Sequence, residues 1–466
     1  MDMSQSYCMS CSSILVRCCS HVDNLPFINK ASYPINMAKT KKLWGCQQVL
    51  LHPDSEQKAV LEYLCGEANK VYNCATYYAR QVYFKTKRFP SKAEICSVMQ
   101  WNRHFSALYV SAAQQVCNGV AEAFKGFKEL LKLFYAGGLK ERPKAPNYRD
   151  KGLFTASYPV RWLKLANEGI RIPLGLKVKT WFGLDSIHVP MPSNLDWKTI
   201  KEVRILPRNG CFYAEFVYPV ERPAVELDPG KALGIDPGID NWLTCVSTVG
   251  TSFIVDGRHL KSVNQFYNKR VATLKEGQSQ GFWSKQLAAI TEKRNRQMRD
   301  AVNKAARLVV NHCIEHGIGT IVFGWDQGQK SGSHMGRKTN QKFVQIPTAR
   351  LKQRISQLCQ QYGVQFIETE ESYTSQASFV DDDVLPTYGE KPDQWKSSGK
   401  RVKRGLFRTA MNQYVNADAN GAANVIRKVA GTAGIIWQNS VEAVLTSPAR
   451  VRFWSACESP CLQTGE

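Results

Sequence analysis

The sequence predicts an α+β protein of several domains: a small β-barrel interrupted by a helical segment, followed by an α/β half. Three observations lead there. A helical period runs through residues 55–134, short alternating apolar segments separated by turn residues fill 139–228, and from Ala232 onward strands and helices alternate. A chain of 466 residues has room for two or three domains with substantial cores.

Residues 1–36 are rich in Ser and Cys and lack periodicity, and they carry neither a secretory signal nor a membrane anchor. We expect a disordered extension there, with Met37-Ala-Lys-Thr-Lys-Lys looking like a natural start. Leu43 to Leu51 reads as a strand and Pro53-Asp54 as the start of a helix. Val60, Leu64, Ala68, Val71, Ala75 and Tyr78 recur at helical spacing over Ser55 to Tyr83, and a second helix is predicted over Ser111 to Phe134. After the basic, proline-punctuated loop Leu139 to Gly152 come strands at Gly169 to Ile172, Ile187 to Val189, Ile200 to Leu206 and Phe212 to Tyr218. We expect these, with Leu43 to Leu51, to close a barrel. The expected division is therefore 37–53 with 139–228 as the barrel, 54–138 as the helical insert, 229–430 as the α/β domain and 431–466 as a tail. Within the α/β domain, Leu233 to Val249 and Thr251 to Gly257 read as a two-stranded hairpin, with a helix starting over Leu260 to Asn268. Phe282 to His316 is a long basic helix, Gly317 to Phe323 a buried strand, Thr348 to Tyr362 a helix, Val364 to Ile367 a strand, and Asp418 to about Val429 the last helix.

Charge narrows the partners. Lys+Arg number 62 against 39 Asp+Glu, a formal net charge of +23, which is the footprint of a polyanion binder. No apolar run approaches the ~18 residues of a spanning helix, so nucleic acid is expected and a membrane is not. The candidate contacts are the helical row Lys125, Lys128 and Lys132, the loop residues Arg142 and Lys144, the helix residues Lys285, Lys293, Arg294, Arg296 and Arg299, and the run Lys400, Arg401, Lys403 and Arg404. The fifteen cysteines mostly stand alone inside apolar segments, as thiols do in a reducing compartment. We expect a cytoplasmic protein, nucleoid-associated if the source is prokaryotic. Cys8-x-x-Cys11 and Cys457-x-x-x-Cys461 have ligand-like spacing but sit in opposite tails, and no zinc is expected.

Two short stretches carry the chemistry. In Leu233 to Gly238 (LGIDPG) an apolar run ends in Asp236 and Pro237-Gly238 turns the chain, placing a carboxylate at the C-terminal end of a buried strand. In Asn416 to Asn424 (NADANGAAN) Asp418 opens a helix whose small residues let it press against a sheet. Two hard divalent cations roughly 3.5–4 Å apart on such carboxylates would stabilise the attacking and leaving oxygens of a phosphodiester displacement.

The ordered set LGIDPG, basic helix, GTIVF, YTSQ and NADANGAANVIRK resembles the TnpB family of transposon-encoded, RNA-guided DNA nucleases (OrfB transposases), related to type V CRISPR effectors. The resemblance spans roughly residues 40–430. It implies an oligonucleotide-binding-like (OB-like) wedge barrel with an inserted helical recognition lobe, then an RNase H-like (RuvC) nuclease domain. It also implies guide RNA and double-stranded target DNA with a short flanking motif as partners, and two Mg ions, with Mn as a substitute, on the acids. Two positions depart from the family pattern. Gly324 and Trp325 stand where a glutamate and a further acid are usual, and residues 374–415 lack the two CxxC pairs of the family's zinc ribbon. Glu368, Glu370 and Glu371 follow the neighbouring parallel strand, whose end lies about 5 Å to the side. We expect a relocated catalytic and metal-binding glutamate, Glu370 or Glu371 ahead of Asp326, acting with Asp236 and Asp418. The rival expectations are a guided DNA-binding protein without nuclease activity and a guide-free transposase.

Overall fold

The computed structural model describes residues 42–325, 345–437 and 442–453. Cys8, Cys11, Asp326, Cys457, Cys461 and the expected N-terminal extension lie outside the described residues.

Strand β1 (Leu43–Leu51) leads into α1 (Ser55–Thr86), which Asp54 caps by accepting from the Gln57 amide. A capping box of Ser91 and Glu94 starts α2 (Lys92–Met99), a helix of eight residues that is too short for its period to reveal it. Helix α3 (Val110–Tyr135) follows. Next come β2 (Ala156–Pro159), β3 (Lys164–Ala166), β4 (Gly169–Pro173), α4 (Leu176–Phe182), β5 (Ser186–Val189), β6 (Glu202–Arg208) and β7 (Cys211–Val220).

The expected barrel does not close. Strands pair as a four-stranded sheet β1-β7-β6-β2 and a separate three-stranded sheet β3-β4-β5. The reason lies in the core: Val60, Leu64, Phe124 and Phe127 of the helices share one apolar cluster with Tyr158, Ile170, Val203 and Phe216 of both sheets. Helices cover the apolar sheet faces, so closure on a second row of strands is not what buries them.

The second half begins with β8 (Asp228–Pro237), β9 (Asn241–Ser247) and β10 (Ser252–Asp256), an antiparallel meander. The stretch expected to hold two strands holds three, because Gly238–Asp240 turns the chain inside it; the Gly238 amide donates to the Trp242 carbonyl at 3.1 Å. Helices α5 (Arg258–Lys275) and α6 (Lys285–Glu315) precede β11 (Ile318–Gly324), then come α7 (Thr348–Tyr362) and β12 (Gln365–Thr369). An insert with strands β13 (Lys400–Lys403), β14 (Leu406–Arg408) and β15 (Tyr414–Asn416) leads into α8 (Ala417–Ala433). The described part of the expected tail packs on the sheet: α9 (Glu442–Thr446) buries Leu445, and β16 (Ala449–Val451) adds parallel to β10. An edge strand with free backbone groups recruited it. The sheet order is β12-β11-β8-β9-β10-β16, with β8, β11 and β12 parallel.

Candidate active site

Asp236 closes the buried run of β8, and the parallel register levels Ile235 with Phe323 of β11, and Phe323 with Glu368 of β12. Asp236, Gly324 and Thr369 therefore stand in one row where three parallel strands end. Helix α8 crosses this row closely: a Cβ on Gly234 would sit 2.3 Å from the Ala422 carbonyl oxygen. A Cβ on Gly421 would lie 2.8 Å from Oδ2 of Asp236, so the helix glycine is the cradle of the strand carboxylate.

Each polar residue of the NADANGAAN stretch has a distinct contact. Asn416 caps α8, its side-chain oxygen accepting from the Asp418 and Ala419 amides at 3.0 and 3.1 Å. Asn420 accepts from the Phe379 amide at 2.9 Å and donates to the Ala377 carbonyl at 2.8 Å. Asn424 donates to the Thr374 and Ala377 carbonyls. Both asparagines are fully buried, and they clamp the turn that follows Glu371 against the helix. Asp418, in the first turn, accepts from Asn241 Nδ2 at 2.6 Å and from Arg401 Nη2 at 3.1 Å.

The three glutamates at the end of β12 separate sharply. Glu368 is exposed and pairs with Lys352 at 2.5 Å. Glu370 is engaged by Lys428 of α8; burial works against its charge, but this ammonium holds its carboxyl below the usual range. The side chain of Glu371 instead folds over Gly324, where a Cβ would stand 2.8 Å from its Oε1 and 2.9 Å from its Cγ. Its charge reaches Asp236. Burial first, then the Glu371 and Asp418 carboxylates, push the Asp236 carboxyl well above the ordinary range, with Arg401 opposing. The residue as a whole keeps partial exposure, while its carboxyl is enclosed by protein. Asp236 therefore feels the charges of Glu371 and Asp418, whereas Glu370 is taken up by Lys428.

The carboxylates of Asp236, Asp418 and Glu371 are hard oxygen donors suited to Mg or Mn, while Asn241 faces Asp418 with its Nδ2 and acts as a hydrogen-bond donor. Among the described residues, no group of three His, Cys, Asp or Glu is gathered tightly enough to enclose a metal ion. The Arg401 guanidinium balances charge at Asp418 instead. Sequence reasoning missed Asn241. Its one signal was its place directly after the turn that follows Asp236.

The basic candidates also divide. Lys125, Lys128 and Lys132 are exposed on α3, with Lys132 3.1 Å from Glu129 and Lys128 over the Phe89 ring. Arg142, Lys144, Lys285, Lys293, Arg296, Lys400 and Lys403 are exposed. Arg294 instead donates to Asn264 and to the Gln345 carbonyl, and Arg299 to the buried Glu292, so both guanidiniums are committed to internal partners. Arg404 pairs with Asp240, beside Lys261.

An open mixed sheet whose parallel strands end in the row that carries Asp236, behind a β-rich half packed with helices, has a solved counterpart. The chain is similar to the Cas12f1 of a Cas12f1–sgRNA–target DNA complex, with 15% identity and a TM-score of 0.50, over 80% of this chain and 83% of that one. The fold is therefore of the Cas12 kind. A CasPhi-2 (Cas12j) structure bound to crRNA also aligns, at 10% identity and a TM-score of 0.36 over 85% of this chain and 99% of that one. Residues 215–325 match the IS605 OrfB family, described as a probable transposase. That segment, which contains Asp236 and Gly324, is what this chain shares with the family. No curated protein matches the sequence. Among the described residues no helix is long and apolar enough to cross a membrane.

Proposed function

We propose that the protein is an RNA-guided, Mg-dependent DNA endonuclease whose RuvC-type site uses Glu371 in place of the missing acid at position 324. The observation that carries this reading is the side chain of Glu371 lying over Gly324 and acting electrostatically on Asp236. Asp236, Glu371 and Asp418 would hold the metal, which when bound activates water and stabilises the leaving oxygen. The protein's own groups prepare the site: α8 and Gly421 hold the Asp236 carboxylate, Asn241 orients Asp418, and the clamped turn after β12 aims Glu371. Guide RNA against the β-rich and helical half would leave base pairing to read the target, and a short flanking duplex motif would be read by the same half. The resident Arg401–Asp418 pair favours one second reading, a guided DNA-binding protein that does not cut.

The test is cleavage of a matched target by protein purified with its own RNA, with and without Mg. Wild type and Glu370→Gln should cut at rates within a few-fold of each other, whereas Glu371→Gln and Asp236→Ala should lose at least ~10³-fold while target binding persists. Full activity in Glu371→Gln would remove the assignment. Binding without cleavage by the wild type would establish the second reading, and cleavage insensitive to RNase treatment would establish a guide-free nuclease.

A further inference from the structure

We propose that Arg258, Arg450 and Arg452 form a phosphate-binding subsite for single-stranded DNA beside the three acids, assembled by the last strand of the sheet. The inference rests on the nuclease reading, since it takes the ligand to be the strand presented to Asp236 and Asp418.

Asp256 ends β10 and is paired in register with Asn241 of β9. Three guanidiniums converge on its buried carboxylate. Arg258 engages both of its oxygens, Arg450 Nη1 stands 3.4 Å from Oδ2, and Arg452 Nε stands 3.7 Å from the same atom. One carboxylate cannot neutralise three guanidiniums, and two positive charges remain in excess. The Arg258 and Arg452 side chains are 54% and 64% exposed, so their remaining N–H donors face water. With His259 they line a cavity of about 180 Å³ at the start of α5, whose N-terminal end adds partial positive charge. A planar fork of donors at long range from its carboxylate is a geometry that accepts a phosphodiester oxygen.

Position argues for a strand beside the acids rather than a remote anion site. A single side chain, Asn241, touches both centres: Arg450 Nη2 donates to its Oδ1 at 2.9 Å, and its Nδ2 donates to Asp418 Oδ2 at 2.6 Å. Lys261 and Arg404 flank the intervening turn through Asp240, so cations continue along the same rim. Arg450 lies in β16 and Arg452 just past its end, and both reach Asp256, so this short C-terminal segment delivers two guanidiniums to one carboxylate.

The experiment measures binding of a fluorescein-labelled oligo-dT strand in EDTA by anisotropy, across a KCl series, for the full chain with its RNA. The pair Arg258→Gln and Arg452→Gln should weaken binding and lower the slope of log K against log[salt] by about 1.4, two contacts at about 0.7 each for a single strand. A control pair on the β-rich half, Lys164→Gln and Lys198→Gln, should leave the slope at its wild-type value. If the double variant melts early, Arg452→Gln alone should still lower the slope by about 0.7. An unchanged slope, or an equal loss in the control pair, overturns the subsite. The two readings fail separately: cleavage with an unchanged slope removes the subsite alone, and a lowered slope in a chain that never cuts removes the nuclease alone.

Discussion

Gly421 and Gly324 are the two positions where a missing side chain makes the site. The space above Gly421 holds Oδ2 of Asp236, and the space above Gly324 holds the Glu371 carboxylate. Gly421→Ala leaves α8 a better helix by about 1 kcal/mol of propensity, yet it must push the carboxylate aside. We expect a Tm at or near that of wild type and cleavage lowered ~10- to 100-fold, because sub-ångström placement of such groups governs rate. A swap addresses Gly324. Glu371→Ala should abolish cleavage, and adding Gly324→Glu to that variant should restore part of it by putting a carboxylate into the emptied space from the neighbouring strand. Failure of the double variant to exceed Glu371→Ala in a cleavage assay would mean that the two glutamates do not share one space. The three acids at the end of β12 could not be told apart in the sequence. What separates them is the reach of Lys352 and Lys428, cations on two helices distant in sequence.

The insert between β12 and α8 is held together by carboxylates rather than by cysteines. With no CxxC pairs, residues 374–415 are organised by Asp383, whose buried carboxylate accepts from the Ser378 and Ser398 amides at 2.7 and 3.1 Å and from the Ser397 and Ser398 hydroxyls. Asp381 adds a bond from Ser378 Oγ at 2.5 Å and one from the Ala410 amide at 2.9 Å. Burial opposes the charge of Asp383, but its donors prevail and hold its carboxyl below the ordinary range. Because the folded value is depressed, the contribution is complete above the ordinary carboxylate pKa of about 4 and is lost as pH falls through the folded value. Asp383→Ala should cost about 3 kcal/mol and should first expose 374–415 to limited proteolysis, before the rest of the chain. In wild type the same nicking should appear on acidification below about pH 4. Equal protease resistance at pH 7 for Asp383→Ala and wild type would show that the insert is held by other contacts. The sequence signal was there as Asp381-Asp382-Asp383, but a run of acids reads as a solvated loop until its partners are known.

Across the molecule, the β-rich half meets the sheet of acids through a buried ionic knot. Glu292 of α6, 1% exposed, accepts from Tyr213 Oη at 2.5 Å, Asn209 Nδ2 at 2.8 Å and Arg299 Nη2 at 2.7 Å. Tyr213 belongs to β7 and Asn209 to the turn before it, so one helix carboxylate ties the first half to the second. Glu292→Ala strands the Arg299 charge and should cost about 3–5 kcal/mol, with separated thermal transitions for the two halves. Glu292→Gln keeps the size and part of the hydrogen bonding and should lose less. A single unshifted transition in Glu292→Ala would show that the halves are coupled elsewhere.

What the sequence by itself determined is the set of local facts: the run of elements from α6 through β12, both aspartates at element ends, and the charge of a polyanion binder. Local periodicity and turn chemistry encode these directly, so α7 begins and ends where the pattern says, at Thr348 and Tyr362. Only the tertiary structure decided the rest. It left the barrel open, joined β16 to the sheet, turned Arg294 and Arg299 inward, and laid Glu371 over Gly324 while Lys428 took Glu370. Each of these depends on which surfaces meet. Side-chain direction in a loop, and the partner that neutralises a charge, are fixed by groups tens to hundreds of residues away, for which no local pattern exists.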